Sequence, residues 1–155
     1  MRGMLALRPI QPFSWDCELR DGETVVATLE IPYWGERGTL KAGDRTWQLG
    51  REDWFHGRYF LRGPGRTLAT AEKPSAFLRS FRVRLGERSY DWEARSPFFR
   101  AFDLLESGKV VGSLKPEAPI TRDAVVALPE ELPIEERAFL AWLALLMWRR
   151  QRRRS

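Results

Sequence analysis

Five arginines, Arg149, Arg150, Arg152, Arg153 and Arg154, follow Met147 and Trp148 directly. An interfacial aromatic beside a polybasic run suits an anionic lipid surface, where each basic residue contributes about 1 kcal/mol. The same run can touch nucleic-acid phosphates without reading sequence. These arginines hold the entire charge excess, because the chain carries 26 basic and 21 acidic residues for a net charge of +5. The basic character therefore belongs to a tail at 149–155, and a surface-wide attraction to nucleic acid is not implied.

A second group is Arg79, Arg82, Arg84 and Arg88. Alternation places Arg82 and Arg84 on the outward face of one strand near a turn. Guanidinium forks match phosphate oxygens, so the four are candidate ligands for an inositol phosphate or a lipid headgroup. The competing reading pairs Arg82 with Asp91 across a hairpin and leaves the others solvated.

Other chemistry finds little material. His56 is the single histidine and Cys17 the single cysteine, so a His/Cys zinc site has no ligand set. Cys17 alternates with Trp15 and Leu19 and reads as a small core hydrophobe; as a nucleophile it would need His56 as its base, with nothing to support that pairing. No acidic pair stands in a context that marks a catalytic dyad. Gly63-Pro64-Gly65 lacks the Gly-Lys-Ser/Thr ending of a phosphate loop and reads as a hairpin turn. The expectation is a chain without catalytic residues, metal or cofactor.

The elements that must position these residues show in the spacing. Hydrophobic residues make up 43% of the 155, with seven Trp and nine Phe, enough for one folded core. Gly22, Gly65 and Gly108 fall at equal spacings of 43 residues, each in a turn-like cluster between alternating apolar runs. The same offset relates Trp34 to Phe77, Leu40 to Val83, Gly43 to Gly86 and Trp47 to Tyr90. A Gly86-Glu87 turn pairs Val83 with Tyr90 and Phe81 with Trp92 on the inner face, and Arg82 with Asp91 and Arg84 with Ser89 on the outer. The Gly43-Asp44 turn likewise pairs Leu40 with Trp47.

The pattern stops at Pro129, and a helix follows over about 134–148, with Glu135 and Glu136 at its start and arginines at its end. Every residue from Ala138 to Trp148 is apolar. That run spans about 16 Å at ~1.5 Å per residue, short of the ~30 Å hydrocarbon core, so a buried central helix is expected and no transmembrane span. Three modules of about four strands each, closed around this helix, would bury it and remove sheet edges. The predicted fold is all-β with one C-terminal helix: an antiparallel closed barrel of about twelve strands, built from three repeats of about 43 residues around a buried hydrophobic helix. Residues 1–12 read as a lead-in, 13–148 as the single domain and 149–155 as the basic tail.

A repeated meander closing around a hydrophobic C-terminal helix resembles the tubby C-terminal domain superfamily, which includes the LURP-one-related proteins and the phospholipid scramblases. The likeness rests on the runs Tyr59 to Glu72, 81 to 92, 102 to 114 and the helix at 138 to 148. It implies phosphoinositide binding, membrane tethering or lipid movement. With one cysteine and an apolar start limited to Met4–Leu7, too short for a signal peptide, the cytosol is the expected compartment, with peripheral attachment to membrane. The leading expectation is a non-catalytic module engaging anionic phospholipid or phosphoinositide headgroups through the strand arginines or through Trp148 and the tail. A nucleic-acid or protein interaction module using the tail is the alternative, and an enzyme whose site is scattered over the barrel is the third reading. Exposed Trp34 or Trp54 would equally mark a partner interface.

Overall fold

A computed structural model of the chain describes residues 4–52, 57–74, 80–95, 100–118 and 121–154, with side chains to 152. Twelve strands follow in order: β1 Met4–Pro9, β2 Cys17–Asp21, β3 Thr24–Glu30, β4 Arg37–Ala42, β5 Arg45–Arg51 and β6 Arg58–Gly63; then β7 Arg66–Glu72, β8 Ser80–Leu85, β9 Arg88–Ala94, β10 Phe102–Glu106, β11 Lys109–Pro116 and β12 Ala124–Ala127. A helix, α1, spans Ile134–Arg154. Each strand pairs antiparallel with its neighbours in sequence, and β1 pairs with β12 to close the barrel. Among the described residues, no edge strand is left to recruit another chain.

The expected register of the β8–β9 hairpin is the one found: Phe81 opposite Trp92, Arg82 opposite Asp91, Val83 opposite Tyr90 and Arg84 opposite Ser89. Leu40 faces Trp47 in β4–β5 in the same way. Alternation sends Phe81, Val83 and Leu85 inward and leaves Arg82 and Arg84 exposed. A lipid-spanning barrel has the opposite polarity, with its apolar side facing out. The tight turns close on glycines in the left-handed region, as at Gly43 with φ 61° and Gly86 with φ 62°.

All residues from Ala138 to Trp148 are buried, so α1 fills the barrel. Its aromatic side engages the wall: Trp142 stacks on Phe139 at 6.1 Å and meets Tyr59 edge-on at 6.0 Å. Tyr59 in turn meets Phe81 edge-on at 5.7 Å. On β4, Gly38 leaves room for the indole; a Cβ there would lie 3.2 Å from Trp142 Nε1 and 3.1 Å from the Glu30 carbonyl oxygen. Among the described residues, no helix is long and apolar enough to cross a membrane.

Two boundaries differ from expectation. The expected lead-in at 1–12 contains β1, whose Leu5 and Leu7 are buried and whose pairing with β12 closes the barrel. Its alternation covers six residues, as many as β8, but the connection 10–16 and not a tight turn joins it to β2, so no hairpin pattern frames it in the sequence. The helix does not stop at Trp148 but runs on to Arg154. Arginine is a good helix former, and positive charge suits a helix C-terminus.

Candidate functional site

Because the chain runs alternately up and down around the barrel, its connections fall on two rims. The first rim holds the tight turns, such as Asp21 to Thr24 and Leu85 to Arg88, and the start of α1, where Arg45 Nη2 reaches Glu135 Oε2 at 3.5 Å. The second holds the longer connections, including residues 10–16 between β1 and β2 and 31–36 between β3 and β4. The C-terminal end of α1 emerges there. Trp148 Nε1 donates to the Arg100 carbonyl oxygen at 2.9 Å, and the Arg100 guanidinium lies over the Trp148 ring at 4.2 Å from its centroid.

The predicted tail arginines are partly built into this second rim. Arg149 is only 3% exposed. Its Nη1 donates to the Pro32 carbonyl oxygen at 3.0 Å, and its Nη2 donates to the Gly35 carbonyl oxygen. Arg150 Nε and Nη2 donate to the Glu36 carboxylate at 2.7 and 2.6 Å, and Nη2 also donates to Tyr59 Oη at 2.6 Å. Arg51 Nη1 adds a third donor to Glu36 at 2.8 Å. Burial pushes the Glu36 carboxyl up, but the hydrogen bonds and charges of Arg150 and Arg51 outweigh it and hold the pKa below its ordinary value. Arg152 is exposed on the last turn, and the side chains of Arg153 and Arg154 lie outside the described residues.

Arg122, which sequence reasoning did not single out, performs on the 10–16 loop what Arg149 performs on the 31–36 loop. Its Nη2 donates to the carbonyl oxygens of Gln11 and Pro12 at 3.0 and 3.1 Å, and its Nη1 donates to that of Ser14. Its guanidinium lies 5.2 Å from the Trp15 ring centroid. The loop is drawn in by its backbone while its apolar tip stays out: Phe13 is 93% exposed. On the neighbouring loop Tyr33 and Trp34 are 62% and 76% exposed and meet edge-on at 5.1 Å. Phe13, Tyr33, Arg122, Arg149 and Arg152 line one shallow hollow of about 340 Å³. Trp34 was a sequence candidate for an interface. Phe13 and Arg122 leave no periodic trace that would single them out, and Arg149 stands out in the sequence for its charge and not as a clamp.

The strand arginines are arranged differently. Arg82 and Arg84 share the outer face of β8 and line a groove of about 630 Å³ together with Arg58, Thr70 and Ser89. The cross-strand partners of Arg82 are Glu72 on one side and Asp91 on the other, while those of Arg84 are the hydroxyl residues Thr70 and Ser89. Arg88 is engaged by Glu106 at 2.6 to 3.0 Å. Arg79 lies outside the described residues, as do His56 and Trp54. Of the four candidates, then, two are brought to one surface and the third is held by a carboxylate.

Cys17 is buried, and desolvation pushes its thiol up to about 12, which suits packing better than nucleophilic attack. Among the described residues no group of three or more His, Cys, Asp or Glu is placed to hold a metal ion. Comparison of the chain with family models, curated proteins and solved structures finds no match.

Proposed function

We propose that the chain is a non-catalytic binding module that engages anionic phospholipid headgroups, phosphoinositides included, at the cytoplasmic membrane surface. One observation carries the reading: α1 runs through the barrel and brings Arg149, Arg150 and the exposed Arg152 to a single rim, with its backbone continuing to Arg154. A concentrated positive end attracts an anionic surface and orients the approach. The packed interior supports a surface role, because the space in which a small barrel would enclose a ligand is taken by Phe139, Trp142 and their neighbours. The resemblance to the tubby-like superfamily, associated with phosphoinositide binding and membrane tethering, points the same way.

Co-sedimentation with phosphatidylcholine vesicles, with and without phosphatidylserine, across a salt series tests this reading. Retention on the anionic vesicles at low salt, falling as salt rises, is expected. Equal behaviour on both vesicle types, or no retention, removes the proposal. Retention on duplex DNA but not on vesicles selects the nucleic-acid alternative.

A further inference from the structure

We infer that the second rim is a membrane-docking surface on which the barrel stands end-on, with the arginine-clamped tips Phe13, Tyr33 and Trp34 entering the headgroup layer of an anionic bilayer. This rests on the lipid reading above and adds the surface, its mode of insertion and its orientation. Single exposed apolar residues are ordinary on protein surfaces. Three aromatics on two adjacent loops, each loop tied down by a guanidinium fork, are not explained by packing.

Three features argue for a bilayer as the occupant. First, the aromatics sit at loop tips around the end of a helix, and aromatic side chains favour the layer between water and hydrocarbon. The clamps hold the loops through backbone carbonyl oxygens, so exposing the rings does not depend on a partner being present. Second, charge accompanies them: Arg122, Arg149 and Arg152 line the hollow between the tips, Arg149 buried, Arg122 half-buried and Arg152 exposed, so that positive charge stands at the base of the tips.

Third, the molecule is polarised along the helix. The opposite rim exposes Asp21, Glu23, Asp44, Glu87, Glu130 and Glu131 beside the basic Arg66 and Lys109, while two more of its basic residues, Arg45 and Arg88, are paired with Glu135 and Glu106. An anionic surface therefore favours the arginine-bearing end over the more acidic one, which biases the barrel toward an upright stance. The alternating charges beside Arg82 on the barrel wall provide no such bias.

The test places a single environment-sensitive fluorophore on a cysteine introduced by Phe13→Cys or, at the far rim, by Glu87→Cys. Cys17 is buried with a raised thiol pKa and stays unlabelled. On phosphatidylserine-containing vesicles, end-on docking predicts a blue shift at position 13 and none at 87. Unlabelled Trp34→Ser should at the same time lose at least tenfold in vesicle affinity. Retention on the vesicles with no shift at 13, or with equal shifts at both positions, overturns end-on docking and leaves the lipid reading standing. No retention of the unmodified protein removes both.

Discussion

Arg150 and Glu36 meet through two hydrogen bonds of 2.7 and 2.6 Å, across 114 residues of sequence, and so tie the end of α1 to the loop between β3 and β4. The pair joins the part of the molecule that fills the barrel to one of the loops that would meet a membrane. Arginines that the sequence presents as a tail are, in their first two members, joints of the fold.

This pair makes stability depend on pH with a definite sign. The Glu36 carboxyl has its pKa lowered in the folded state, so its contribution is fully present above the ordinary carboxyl value. It is lost as pH falls through the folded value. Glu36→Gln should cost about 1–3 kcal/mol at neutral pH, as expected for hydrogen bonds to a charged group. Its melting temperature should approach that of the unmodified protein in acid. Parallel thermal melts across pH check this; a gap that stays constant into acid contradicts it.

Truncation should separate structure from charge. Removing 149–155 takes away the bonds from Arg149 to Pro32 and Gly35 and from Arg150 to Glu36, and should lower the melting temperature clearly. Removing 152–155 should change stability by no more than about 0.5 kcal/mol, in the range of surface changes, while weakening retention on anionic vesicles. Equal melting temperatures for the two truncations would contradict the structural role of Arg149 and Arg150.

Gly38→Ala should destabilise the barrel by about 1–3 kcal/mol, because the added Cβ meets the Trp142 indole and a backbone carbonyl at once. Trp142 Nε1 has no hydrogen-bond partner among the described residues, so Trp142→Phe removes the nearest side-chain obstruction without breaking a bond. In a double-mutant cycle, Gly38→Ala should cost less when combined with Trp142→Phe than it does alone. Additive costs would place the clash elsewhere.

Arg122 should act by shape as much as by charge. Arg122→Lys keeps the charge but loses the fork that gathers the carbonyl oxygens of Gln11, Pro12 and Ser14. A several-fold drop in affinity for anionic vesicles is expected, with faster amide exchange in the 10–16 loop. Wild-type affinity in Arg122→Lys would mean that only charge matters there.

What the sequence conveys about this molecule follows periodicity. The β8–β9 register is readable because Phe81 and Trp92 alternate with Arg82 and Asp91, and a period of two allows one inward face. The buried helix is readable because Ala138 to Trp148 has no polar face. β1 escapes because the connection 10–16, and not a tight glycine turn, joins it to β2, so no hairpin pattern frames its alternation. The rim escapes for a different reason: Arg122 and Ser14 are 108 positions apart, and a guanidinium reaching a backbone carbonyl imposes no residue type on its partner. Trp34 could be suspected as an interface residue; which loop would stand beside it could not.

The most direct test of the central claim compares charge changes on the two candidate surfaces by vesicle co-sedimentation at low salt. Phe13→Glu combined with Trp34→Glu alters the rim, and Arg82→Glu combined with Arg84→Glu alters the barrel wall; all four positions are exposed, so both proteins should remain folded. The account predicts that the rim variant loses at least tenfold in affinity for phosphatidylserine-containing vesicles, while the wall variant, although its two reversals lower the net charge by four units against two in the rim variant, loses less. Loss of binding in the wall variant, with the rim variant unaffected, would contradict it and return the headgroup site to the strand arginines.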